Sequence, residues 1–173
     1  MANNIDRAYG FVAFGPLLRQ NSYSVDASNG TAIFIGDLVS AEADGNCAPA
    51  AAGDVVILGA STTYLAASTA TSDTNPLIVS DNTQQLYMAQ DDGSATPAQD
   101  ELFQGANHIA GGGSTTTLIS GHEIALSDGG TTTGGVVLLD HVNRPDNDST
   151  AVNCDWVCQL NVGEGLLTVA GGV

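Results

Sequence analysis

The stretch VNCDWVCQLNV, residues 152–162, decides the fold. Val152, Cys154, Trp156, Cys158, Leu160 and Val162 fall on one side of an extended chain, and Asn153, Asp155, Gln159 and Asn161 on the other; Val157 is the exception. A period of two over this length predicts a half-buried β-strand. It also predicts that the single tryptophan is buried with its indole N–H on an acceptor.

The rest of the chain repeats the theme. Short runs of Val, Ile, Leu, Phe and Thr alternate with clusters of Gly, Asp, Asn, Ser and Pro, and helical periodicity is scarce. TAIFIGDLV (31–39) is expected to be a buried strand that pauses at Gly36-Asp37, and DVVILGA (54–60) a second strand. PLIVS (76–80) and QLYMAQ (85–90) are expected to pair across the polar turn DNTQ. TTLISG, HEIALS and GGVVLLDHV follow as further strands. CAPAAAGD (47–54) and the Ala/Thr/Ser-rich residues 60–76 suggest a loose surface excursion, and 97–111 has room for one short helix. The expected class is all-β: a small barrel or sandwich with an extended N-terminal arm, residues 1–18, and one β-rich domain, 19–173.

Composition narrows the function. Nineteen acids stand against three bases, Arg7, Arg19 and Arg144, with no lysine, for a formal charge of −16. Binding to nucleic-acid phosphates needs Lys and Arg, and so does attraction to an anionic membrane; neither is expected. The acidity is that of a solvated, self-repelling surface, or of one meeting divalent cations or a basic partner. A hydrophobic fraction of 43% separates the chain from a disordered acidic tail. No run reaches the ~18 apolar residues of a membrane span, and MANNIDRAYG lacks the features of a secretory signal, so synthesis in a cytosol is expected. In a strand, the Cα atoms of Cys154 and Cys158 would lie ~13 Å apart. A disulfide needs less than ~7 Å, so buried free thiols are expected.

No catalytic constellation stands out. HVNRPDND (141–148) gathers a histidine, an arginine and three aspartates, yet its Asn, Pro and Asp are turn formers between two strands. Arg144, Pro145 and Asp146 are expected to make a structural turn, with Arg144 paired to Asp140, Asp146 or Asp148. An alternative, weakly signalled, is a calcium site on Asp146 and Asp148. His122-Glu123 resembles half of a zinc-protease motif whose second histidine is missing, and His108 has no partner at metal-ligand spacing. No GxSxG elbow occurs. DGN, DDGS and SDGG are acidic turns of an ordinary kind. Neither an enzyme nor a bound cofactor or metal is expected.

Four segments, in order, carry a resemblance: YGFVAFGPLL, TAIFIGDLV, ANHIAGGGSTTT and NRPDND. Together they resemble the capsid decoration, or cement, proteins of tailed bacteriophages. The resemblance implies a non-enzymatic virion protein that is made in the host cytoplasm. It would coat the outer head surface as a homotrimer on the major capsid protein. On that reading Tyr9, Phe11, Phe14, Leu17, Leu18 and Arg19 would contact the capsid. The apolar residues among them could equally start the first strand of the chain's own core. The family's arms often carry more basic residues than GPLLRQ, which has only Arg19. A carbohydrate-binding β module of a head fibre or tail is the alternative function, and a calcium-stabilised β domain a third.

Overall fold

The computed structural model describes residues 4–68, 75–128 and 134–161, and the fold is all-β. Its strands are β1 (Val12–Ala13), β2 (Gln20–Val25), β3 (Leu38–Ala41), β4 (Cys47–Pro49), β5 (Gly59–Ser61), β6 (Asn75–Ser80), β7 (Leu86–Gln90), β8 (Gly105–Ile109), β9 (Glu123–Ala125), β10 (Val136–His141) and β11 (Asp155–Leu160). They form a six-stranded sheet in the order β1-β7-β11-β10-β8-β9 and a closed five-stranded barrel, β2-β4-β3-β5-β6. Among the described residues the only helical turns are two 3-10 turns, Gln99–Glu101 and Leu126–Asp128.

β11 lies centrally in the sheet, between β7 and β10. Cys154, Trp156, Cys158 and Leu160 face the larger core together with Phe11, Tyr87, Ile124 and Leu138. The indole N–H of Trp156 donates to Asp91, at 3.3 Å. Val157 and Asp155 are buried as well, because other parts of the chain cover the second face of the strand. Val152 and Asn153 lie before the strand, in a bend with Asn153 at φ 58°; Val162 lies outside the described residues. All three cysteines are buried and free. Burial pushes the Cys158 thiol up to about 12.

Several expected elements are corrected. β6 and β7 do not pair: β6 joins β2 and β5 in the barrel, while β7 joins β1 and β11 in the sheet. The segment between them carries the chain from one sheet to the other. The Tyr87 hydroxyl, donating to the Ser80 carbonyl at 2.8 Å, ties the two ends together. CAPAAAGD is not an excursion, since Cys47–Pro49 is a barrel strand paired with β3. Of DVVILGA only the end enters β5, and TTLISG contributes one bridge, Ile35 to Ile119. The break expected at Gly36-Asp37 is present, with Gly36 at φ 95°. A side chain at Gly36 would also meet the Tyr9 carbonyl at 2.9 Å, so this glycine lets the N-terminal segment cross the turn closely.

The barrel has a core of its own, Val25, Ile33, Val39, Cys47, Leu77 and Val79. Its closure is slight. β2 meets β4 at a single parallel pair, Val25 with Cys47.

Candidate functional site

The residues expected to contact a partner divide into two groups. Phe11 is 2% exposed and sits in the larger core, and Val12 and Ala13 pair with Met88 and Tyr87 of β7. The Tyr9 hydroxyl donates to Asp155 at 2.7 Å, and the Arg7 amide donates to the Gln90 side chain at 2.7 Å. Further back, the Asn4 amide reaches the carbonyls of Asp148, Ala151 and Val152. The first part of the expected arm is thus laced to the body. Phe14, Leu17 and Leu18 are instead 41%, 44% and 48% exposed.

That exposed run is held at both ends. The Phe14 amide donates to the Leu86 carbonyl at 2.8 Å, and the Leu18 amide to the Gln85 side chain at 2.9 Å. The Arg19 guanidinium then closes on Asp81 at 2.8 Å. Asp81 is buried and also accepts from Asn21 and Tyr23. Burial pushes its carboxyl up, but the bonds from Arg19, Tyr23 and Asn21 outweigh this and hold it below its ordinary value. The result is an apolar strap presented to solvent and hydrogen-bonded to the body at both ends.

HVNRPDND is a braced turn. Asn147 N–H donates to the Arg144 carbonyl at 3.1 Å across Pro145 and Asp146. The Arg144 guanidinium pairs with Asp146 at 3.2 Å and, more closely, with the buried Asp155. Asp140 and Asp148, expected as partners, are occupied elsewhere: Asp140 accepts from the His141 amide, and Asp148 from Thr150. Asp155 is the hub that sequence reasoning placed on the solvent side. It joins Tyr9 to Arg144, and burial with the Asp155 bond raises the Tyr9 hydroxyl well above its ordinary range.

Beside this clip runs an open groove of volume ≈ 510 Å³, lined by Arg7, Tyr9, Met88, Ile119, Ser120 and Arg144 among others. Its volume suits a small ligand, but Arg144, one of its two cations, is engaged by two carboxylates.

His122 and His108 pack together, ring centroids 5.5 Å apart, both almost fully buried. His122 Nδ1 accepts from the Leu38 amide at 3.2 Å, which makes Nε2 the protonated nitrogen, 3.5 Å from Asp37. Ser120 lies nearby, but its Oγ accepts from the His122 backbone N–H, at 2.9 Å, and its hydroxyl donates no bond to the imidazole, whose Nδ1 accepts from Leu38. Serine, histidine and aspartate are therefore adjacent without the serine–imidazole bond that would activate a nucleophile. Burial lowers both histidines to about 4, so they are neutral near pH 7. Glu123, next to His122, takes no part in this cluster. Burial and the charges of Asp6, Asp92 and Asp91 raise it to about 7.

Among the described residues one acidic group has metal-ligand spacing, the exposed Asp26, Glu42 and Asp44. It falls on the acidic turn DGN, and Asn46 already bridges Asp26 and Asp44. No family model, no curated protein and no solved structure matches the chain. The phage resemblance rests on its four motifs alone.

Proposed function

We propose that this is a non-enzymatic structural protein of a tailed-phage head, one that decorates the outer capsid surface. The carrying observation is the strap Phe14–Leu18, an uncharged apolar run pinned at both ends on an otherwise acidic chain. An exposed apolar patch with a fixed backbone buries surface on a partner with little ordering cost. The acidic remainder keeps the protein off packaged and host DNA. Repetition over a lattice adds avidity to each modest contact. The partner is the major capsid protein, and the strap, not the whole of residues 1–18, is the contacting part.

A glycan-binding reading draws less support. Sugar sites stack on exposed aromatics with polar edges, whereas Trp156 is fully buried and the prominently exposed rings are Phe14 and Phe103. The deciding experiment is quantitative mass spectrometry of purified particles, comparing copies of this chain with the major capsid protein. A ratio near one to one supports decoration. A few copies per particle would shift the reading to a fibre or tail component, and absence would end it.

A further inference from the structure

β2 is an open edge. Its residues pair with β6 from Gln20 with Ser80 to Val25 with Asn75, but on the other side only Val25 meets β4. Among the described residues nothing pairs with the outer backbone groups of Gln20–Ser24. Gln20, Asn21, Ser22 and Ser24 are exposed and Tyr23 is half-buried. Exposed edges are ordinarily protected by charges, prolines, bulges or a covering segment. QNSYS has neither charge nor proline, although 19 acids were available in this chain.

The distribution of charge says what fits there. Residues 7–25 hold two of the three arginines and none of the 19 acids. A second copy of so acidic a chain meets few opposing carboxylates along a run that carries none, as this one does. The strand is also self-complementary. Antiparallel pairing about a two-fold axis through Ser22 sets Gln20 opposite Ser24 and Asn21 opposite Tyr23, polar pairs without like charges. The ends complement each other too. Arg19, with its side chain 49% exposed, stands just before the strand, and Asp26, of the exposed Asp26–Glu42–Asp44 group, stands just after it. In this register one copy's Arg19 lies opposite the other's Val25, beside its acidic group, and the arrangement occurs twice.

We propose that β2 is a self-association edge: it pairs antiparallel with β2 of a second copy, which sets each Arg19, still bonded to its own Asp81, beside the Asp26–Glu42–Asp44 group of the other. The contact is isologous, so it builds even-numbered assemblies. It does not depend on whether the protein coats a capsid, because it uses the backbone of Gln20–Ser24 and not the apolar strap.

The test is sedimentation equilibrium of the full chain at physiological salt, with hydrogen exchange of residues 20–24. A dimer, or a larger even-numbered assembly of such dimers, with slowed exchange at these amides is expected. Ser22→Lys sets two ammonium groups against each other on the axis and is expected to weaken association at least tenfold, with the thermal midpoint of dilute, monomeric samples unchanged. Arg19→Glu and the double variant Glu42→Arg/Asp44→Arg are each expected to weaken it as well, and an equimolar mixture of the two to restore a heterodimer, because every clamp then joins opposite net charges. The restored heterodimer also shows that both variants are folded. A monomer, a trimer, an assembly indifferent to Ser22→Lys, or a mixture that fails to recombine would overturn the proposal.

Discussion

The six-stranded sheet and the barrel are built from the same kinds of strands, yet different forces hold them. The sheet packs Trp156, Tyr87, Phe11, Ile124 and Leu138 into one core. The barrel's core is a few aliphatics and Cys47; its β2 is held by β6 on one side, and on the other by a single pair to β4, with the polar hub of Asp81 at its start. Apolar burial is non-directional and scales with area, whereas a buried carboxylate holds only the donors aimed at it. The sheet should therefore fail as a unit, and the barrel locally, from β2.

Removal of the largest core side chain sets the upper end of the scale. Trp156→Ala leaves a cavity among fully buried neighbours and strips a donor from Asp91, so a loss of about 3–5 kcal/mol is expected by urea denaturation. Asp81→Ala removes the common acceptor of Arg19, Asn21 and Tyr23 and is expected to cost about 1–3 kcal/mol. Arg19 supplies a minor share, being half exposed. The second variant should speed amide exchange in β2 while leaving β11 protected. If Asp81→Ala proved the more costly, polar anchoring and not the larger core would dominate the molecule.

Acid probes the joint between the two regions. His122 belongs to the segment leading into β9 and bonds to Leu38 of the barrel, and His108 lies on β8 of the sheet. Burial depresses both from 6.5 to about 4, with the neighbouring ring adding to the effect at His108. The unfolded chain therefore takes up protons first. Their contribution to stability is whole above pH 6.5 and falls away as pH drops toward 4. Glu123, raised to about 7, works in the opposite sense, since its protonation in the folded state relieves a penalty. The informative measurement is thus a difference: His108→Leu should lose less of its melting temperature between pH 7 and pH 5 than the parent chain. An equal loss would place the acid sensitivity elsewhere.

How much of this was legible follows from what side-chain pattern can and cannot encode. β11 is legible because its alternation is imposed by burial, and Trp156 announced its need for an acceptor. The partners of β6 and β7 are not, because a hydrophobic period states which face is buried and not which strand lies alongside. β2 was invisible: QNSYSV is polar, and its extended form comes from pairing with β6. The buried acids were hidden by the charge total. Asp37, Asp81, Asp91 and Asp155 look like part of a solvated surface in the sequence, and all are instead buried, the last three with donors from distant segments. Arg144 in HVNRPDND pairs with Asp146 of its own segment, but its closer partner, Asp155, lies outside the motif.

The smallest expected stability effect is the one that tests the proposed function. The expected arm contains two different things. Phe11 belongs to the larger core, so deletion of residues 1–18 would unfold part of the molecule and could not isolate a binding role. Phe14, Leu17 and Leu18 are solvent-facing, and their backbone anchors at Phe14 and Leu18 do not involve their side chains. Replacing all three by serine is expected to shift stability by less than about 0.5 kcal/mol per site, as for ordinary surface positions. The same triple variant should lose most of its occupancy on purified heads, measured against the parent chain in competition. Phe11→Ala is the complementary control: it should destabilise by about 3–5 kcal/mol while the molecules that remain folded still attach. If the triple serine variant attached normally, the strap would be only an exposed apolar run, and contact with the shell would have to come from another face.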